Sequence, residues 1–94
     1  MEIIKTPEEM RNWSLIQKKE GHTIGFVATM GALHEGHLSL MRASVADNDA
    51  SVVSIFVNPT QFAPDEDYES YPRSFEKDNK MCFSTGIDII MHRL

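Results

Sequence analysis

The sequence contains a single cysteine, Cys82, so no disulfide can form within the chain. We expect this thiol to be a small buried apolar residue rather than a nucleophile, because it lies between Met81 and Phe83 in a helical segment. No basic-then-apolar signal pattern opens the chain, and no apolar run approaches the ~20 residues of a membrane span. A soluble cytoplasmic protein with no membrane partner is therefore expected.

Basic residues are also few. Nine lysines and arginines against fourteen acidic residues give a net charge of −5 and leave no basic stripe, which argues against a nucleic-acid partner. An acidic chain can still bind a nucleotide through local donors such as helix N-terminal amides. Much of the acidity lies in residues 65–69, which we interpret as a solvated loop rather than a metal site, since cation sites draw ligands from elsewhere too. No metal ligands are assigned.

The remaining pattern alternates between strand and helix signals. Strands are predicted at residues 2–5, 24–29, 51–57 and 87–91, and helices at 7–20, 36–46 and 75–84, with Ser74 as the last helix's cap. In the first helix, Met10, Trp13 and Ile16 are predicted to form an apolar stripe. Apolar runs without alternation, such as residues 24–29, are typical of strands covered on both faces of a parallel sheet.

This order predicts an α/β fold, with a Rossmann-like parallel sheet and flanking helices. Three central strands are few for such a sheet, and residues 92–94 supply no closing element. We therefore expect the chain to be a fragment of a larger protein. An incomplete sheet would leave an uncovered edge, which favours self-association.

Two unusual loops, residues 30–37 and 58–73, follow predicted strands, and ligands of such sheets bind at the carboxyl ends of strands. In the first loop His34 and His37 are three residues apart where a strand gives way to a helix, so both lie on one face of the first turn. Nearby glycines, Gly31 and Gly36, allow close backbone approach to phosphates. The spacing alone leaves three interpretations open: nucleotide binding, a metal site, or plain capping and packing.

Three segments carry a family resemblance. Residues 29–40 (TMGALHEGHLSL) resemble the HIGH-type loop of nucleotidyltransferases, in the form found in pantothenate synthetases. Residues 54–62 (SIFVNPTQF) are similar to that family's S-I-F-V-N-P-x-Q-F, and residues 67–73 (DYESYPR) resemble its D-x-x-x-Y-P-R. The three segments occur in the family's order and spacing, which is far more specific than any one of them.

The resemblance implies an ATP-dependent ligase that joins pantoate to β-alanine through a pantoyl adenylate, releasing pyrophosphate and then AMP. It implies that His34 and His37 are catalytic at the ATP phosphates and that Gln61 binds pantoate and later β-alanine. It also implies Mg²⁺ accompanying ATP and a homodimer. The ATP-binding residues that it implies are Met30, Gly31, Ala32, Leu33, His34, Glu35, Gly36 and His37.

Two departures from the family pattern qualify this expectation. Ala28 stands where the family usually has proline, and alanine leaves φ freer and restores an N–H, so the loop should be less rigid. The family's later ATP segment, its mobile loop and its C-terminal domain have no counterpart in this chain. The resemblance thus makes residues 1–94 the N-terminal part of a Rossmann-like domain that binds ATP and pantoate, with the C-terminal domain absent, and catalysis by this chain alone is not expected. The rival interpretations are another HIGH-loop adenylyltransferase and a non-catalytic or truncated ATP-binding module.

Overall fold

The computed structural model describes residues 1–56 and 75–93, which form a parallel sheet with helices on both faces. Its elements are β1 (Glu2–Ile4), α1 (Pro7–Lys19), β2 (Ile24–Thr29), α2 (Glu35–Asp47), β3 (Ala50–Phe56), α3 (Phe75–Thr85) and β4 (Ile89–Arg93). The sheet has four strands in the order β1-β4-β3-β2, and each neighbouring pair is parallel. The predicted α/β, Rossmann-like class is confirmed. None of the helices in residues 1–56 and 75–93 combines the length and apolar character that a bilayer crossing needs.

Strand β3 runs through the middle of the hydrophobic core. Its residues Val52 and Val53 are both fully buried, although successive side chains of a strand point to opposite faces. On the α2–α3 face the buried cluster contains Val27, Leu33, Met41, Val53, Ile55, Cys82, Ile87 and Ile90. On the α1 face it contains Ile4, Val52 and Ile89, with Met10 and Trp13 packed against it. Burial on both faces explains why this strand lacks a polar alternation.

Helix α1 begins at the predicted cap. The Thr6 hydroxyl accepts the Glu9 N–H at 3.2 Å and donates to the Glu9 carboxylate at 3.1 Å, which stabilises the first turn. The expected apolar stripe is only partly correct, because Ile16 remains 54% exposed while Met10 and Trp13 pack against the sheet. A spacing of three residues drifts by about 60° per step in a helix with 3.6 residues per turn, so Ile16 is rotated away from the face that Met10 occupies.

The last strand begins two residues later than predicted. Gly86 adopts a positive φ of 93° after α3, and the Ile87 N–H donates to the Cys82 carbonyl at 3.1 Å. The Gly86 N–H also donates to the Phe83 carbonyl at 3.2 Å. This is the Schellman arrangement that ends a helix, so Ile87 belongs to the end of α3 and the strand starts at Ile89. Cys82 itself is fully buried, as expected for an apolar packing residue.

Helix α2 packs unusually close to β2 because Gly25 has no side chain. A Cβ atom at Gly25 would overlap the Ser44 hydroxyl and lie 2.6 Å from Asn48 Nδ2. The close approach fixes the position of α2 relative to β2 and therefore the path of the loop between them. The predicted loop at residues 58–73, together with Val57 and Ser74, lies outside the described residues.

Candidate functional site

The loop between β2 and α2 turns sharply as it leaves the carboxyl edge of the sheet. Thr29, the last residue of β2, donates its hydroxyl to the Ser54 carbonyl at 2.9 Å and accepts the Gly31 N–H at 3.2 Å. Gly31 and Ala32 then follow with φ values of 82° and 51°. Two consecutive residues in the left-handed region reverse the chain direction, a conformation that glycine adopts freely and alanine rarely.

A buried carboxylate from α3 holds the next part of the loop. Asp78 is 1% exposed, and its two oxygens accept the Ala32 N–H and the Leu33 N–H, each at 2.9 Å. Asp78 was not among the site residues predicted from the sequence. The available signal was its position on the apolar face of α3, one turn before the buried Cys82, where a lone acidic residue requires buried hydrogen-bond donors.

Two imidazoles form the N-terminal cap of α2. His34 is the cap residue, and its Nδ1 accepts the Gly36 N–H at 3.1 Å and also engages the His37 N–H. The cap is reciprocal, because Nδ1 of His37 accepts the His34 N–H at 3.1 Å. The ring centroids lie 4.1 Å apart. The structure therefore brings together the two histidines that the spacing placed on one face of the first turn.

This pattern determines which ring nitrogen carries the proton. Since Nδ1 of both His34 and His37 accepts a backbone N–H, the proton of each neutral ring lies on Nε2. Burial lowers the pKa of His37; the neighbouring His34 lowers it further, and the carboxylate of Asp78 opposes the shift. His37 is consequently neutral at pH 7. The pair can offer two Nε2–H donors to an anion.

Six backbone amides of the loop already have partners within the protein. The amides of Gly31, Ala32, Leu33, His34, Gly36 and His37 all donate to side chains. Glu35 is exposed, and its carboxylate accepts a hydrogen bond from Arg42 at 2.8 Å. These six amides are therefore already engaged within the protein, whereas the cap bonds use only Nδ1 of each imidazole.

The other predicted site residues are placed as follows. Met30 is half-buried directly after β2, and Ala28 lies within β2 opposite Ser54. Gln61 lies outside the described residues, so its predicted contact with pantoate and β-alanine stays a prediction. In the part of the chain that the structure describes, no group of three His, Cys, Asp or Glu side chains is arranged to hold a metal ion.

Comparison with known proteins gives a consistent set of relatives. A family model described as "Pantoate-beta-alanine ligase" matches residues 2–92. The pantothenate synthetase of Thermotoga neapolitana is 58% identical over 92 residues, which is 98% of this chain and 33% of that protein. The pantothenate synthetase of Staphylococcus carnosus is 55% identical over 91 residues, or 97% of this chain and 32% of the relative. The chain thus spans about a third of the length of these relatives.

Solved structures give the same result. The pantothenate synthetase from Thermus thermophilus superimposes with a TM-score of 0.88 at 40% identity, covering 100% of this chain and 32% of that one. The pantoate-beta-alanine ligase from Francisella tularensis, complexed with beta-gamma ATP and beta-alanine, gives a TM-score of 0.83 at 38% identity. That match covers 99% of this chain and 35% of the relative.

Proposed function

Because the chain belongs to the pantoate–β-alanine ligase family, we propose that it supplies the N-terminal part of the nucleotide-binding domain of an enzyme that condenses pantoate with β-alanine. The chain covers about a third of its relatives, so the reaction is assigned to the complete protein. The observation that carries the proposal is the paired cap of His34 and His37, which holds both rings through Nδ1 in the loop that follows β2.

The chemistry consists of two displacements. An oxygen of the pantoate carboxylate forms a bond to the α-phosphorus of ATP, and the bond to the pyrophosphate leaving group breaks. The amine of β-alanine then forms a bond to the acyl carbon of the adenylate, loses a proton, and releases AMP. The first step redistributes negative charge over the phosphate oxygens, and donors fixed in place before the reaction stabilise that charge most effectively.

His34 and His37 are suited to this role because each ring is held at Nδ1 and presents Nε2–H. The Nδ1 bonds limit rotation of both rings, so little reorganisation is needed when the phosphate charge develops. The lowered pKa of His37 keeps its Nδ1 able to accept the His34 N–H at neutral pH. We therefore assign both rings to the ATP phosphates, in the manner of a HIGH-type loop.

The remaining substrate contacts belong to the same proposal. Gln61 is proposed to bind pantoate and then β-alanine, since a neutral amide offers both donors and an acceptor to a hydroxy acid. The relative from Francisella tularensis with ATP and β-alanine bound supports the use of these two substrates. Mg²⁺ is proposed to enter with ATP. Because Mg²⁺ prefers oxygen ligands and retains water, the imidazole pair does not fit it, and the phosphates would carry the metal.

Isotope exchange between pyrophosphate and ATP in the complete protein tests the proposal. Exchange that requires pantoate, together with AMP release that additionally requires β-alanine, is the expected result. Exchange that depends instead on a phosphorylated acceptor would identify a different adenylyltransferase. ATP binding without any exchange would identify a non-catalytic module. A cytoplasmic homodimer is part of the same proposal, and light scattering of the purified complete protein measures its oligomeric state.

A further inference from the structure

We propose that Asp78 is a positioning residue for the loop between β2 and α2. Its buried carboxylate holds the Ala32 and Leu33 amides. It thereby sets the direction in which His34 and His37 present Nε2–H. The inference deepens the proposed function and rests on it. Asp78 is 46 residues from Ala32 in sequence, so α3 acts on the loop from a different part of the chain.

Asp78 binds the loop at Ala32, the residue whose backbone conformation is the most strained. Thr29 binds the Gly31 N–H, and Asp78 binds the two N–H groups that follow it, so three consecutive amides are held by side chains. Ala32 lies in the left-handed region with φ of 51°, which an L-residue adopts only when its surroundings determine it. The hydrogen bond from the Ala32 N–H to Asp78 stabilises this conformation.

Residues 31–33, whose amides are held by side chains, directly precede His34. Leu33 is 5% exposed and packs in the core between the Asp78 bond and the cap residue His34. A shift of the Ala32–Leu33 amides would therefore be transmitted through one residue to the first imidazole. His37 would follow, since its Nδ1 accepts the His34 N–H.

Burial makes a purely packing role a poor explanation for a carboxylate here. A buried charge is costly unless its oxygens are hydrogen-bonded, and an apolar side chain of similar size often stabilises a core position more. The same interior contains Cys82, whose pKa is raised by burial and by the charge of Asp78 to about 11. The carboxylate also occupies the Ala32 and Leu33 amides, so these two N–H groups are not available to a phosphate.

The test compares Asp78→Asn with Glu76→Gln in the complete protein. Asparagine has nearly the same size but only one acceptor oxygen, so at least one of the two loop amides loses its partner. Glu76 is exposed on the same helix, and its substitution removes the same charge without touching the loop. We expect Asp78→Asn to weaken ATP binding about tenfold and to slow adenylate formation by on the order of 10²-fold. Glu76→Gln should stay within twofold of the unmodified protein.

Two spectroscopic readouts separate positioning from mere stability. In Asp78→Asn the Ala32 and Leu33 amides should exchange faster with solvent, and the imidazole ¹⁵N shifts of His34 should change; both should be unaltered in Glu76→Gln. A variant that is less stable but binds ATP normally and has unchanged imidazole shifts would overturn the proposal. Equal losses in the two variants would overturn it as well.

A measurement on the unmodified protein covers the case in which Asp78→Asn does not fold. The Ala32 and Leu33 amides should each show a scalar coupling, across the hydrogen bond, to the Asp78 carboxyl carbon. Absence of both couplings would refute the anchoring. Absence of ATP binding by the unmodified protein, with both couplings present, would refute the proposed function while leaving the Asp78 anchor established.

Discussion

Nδ1 of His37 accepts the backbone N–H of His34 at 3.1 Å, and the two rings pack with their centroids 4.1 Å apart. Helix caps usually use the short oxygen-bearing side chains of Ser, Thr, Asp or Asn. Here an imidazole occupies the cap position and a second imidazole occupies the third helical position. The cap uses only Nδ1 of each ring, so each residue stabilises the helix start without using its Nε2–H group.

Replacing His37 by alanine in the complete protein should lower the rate of adenylate formation by about 10²–10³-fold, the usual loss for one donor at a developing oxyanion. The fold should remain, because the ring is at a helix start and forms one backbone bond there. Pyrophosphate–ATP exchange measures the rate, and His22→Ala is the control because His22 is exposed in the turn after α1. Near-normal exchange in His37→Ala would remove this ring from the mechanism.

Gly36→Ala should separate binding from stability. A Cβ at Gly36 would lie 2.9 Å from Cε1 of His34 and must displace that ring. Moving the ring destabilises the folded protein, but alanine is favoured over glycine in a helix by up to about 1 kcal/mol. Because the two effects oppose each other, the free energy of unfolding should change little. We expect ATP affinity to fall at least tenfold, measured by calorimetry. Ser39→Ala, at an exposed position of α2, is the matched control; equal affinities in the two variants would show that the His34 ring position is unimportant.

The protonation of His37 makes the stability of the folded protein depend on pH, and the sign of this dependence follows from the direction of the pKa shift. Its pKa is lowered from 6.5, first by burial and then by His34, while Asp78 opposes the shift. Since the folded pKa lies below the unfolded value, this group contributes stability that is present above about pH 6.5 and is lost as the pH falls. NMR titration of the His37 ring should give a midpoint below 6.5. The midpoint should rise in His34→Gln and fall in Asp78→Asn; the opposite order would contradict the assignment of these neighbours.

Cys82 should be inert in the folded protein. Burial, with a further contribution from Asp78, raises its pKa from 9.0 to about 11, so only about 10⁻³ of the thiol is ionised at pH 8. A thiol reagent should therefore react only after denaturation. Because the folded pKa is the higher one, the associated stability is present below about pH 9 and is lost as the pH rises through 11. Rapid labelling at pH 8 without unfolding would contradict this burial.

Much of the fold could be predicted from local patterns. The runs that form β2 and β3 are apolar without alternation, and Thr6 with Pro7 specifies the start of α1, so these elements can be identified from a few neighbouring residues. The two errors have local causes as well. Ile16 drifts off the buried face, and Gly86 draws Ile87 into the end of α3.

Only those parts of the site that are formed by residues close in sequence could be predicted. His34 and His37 are three residues apart, and their meeting follows from helix geometry. Asp78 is different, because its bonds to Ala32 and Leu33 depend on how α3 packs beside the loop. The engagement of the loop amides by side chains also required the three-dimensional arrangement. The sequence therefore located the loop, and the packing of α3 explains how the loop is held.

The most direct test of the account is the imidazole ¹⁵N spectrum of the protein, recorded with and without ATP. The hydrogen bonds accepted at Nδ1 of His34 and His37 predict that the proton of each neutral ring lies on Nε2, and we expect ATP to shift these two Nε2 resonances. His22, which lies outside the loop in the turn after α1, should not respond and is the internal reference. Protons on Nδ1 of either ring, or ATP shifts no larger than those of His22, would contradict the assignment of the imidazole pair to the phosphates.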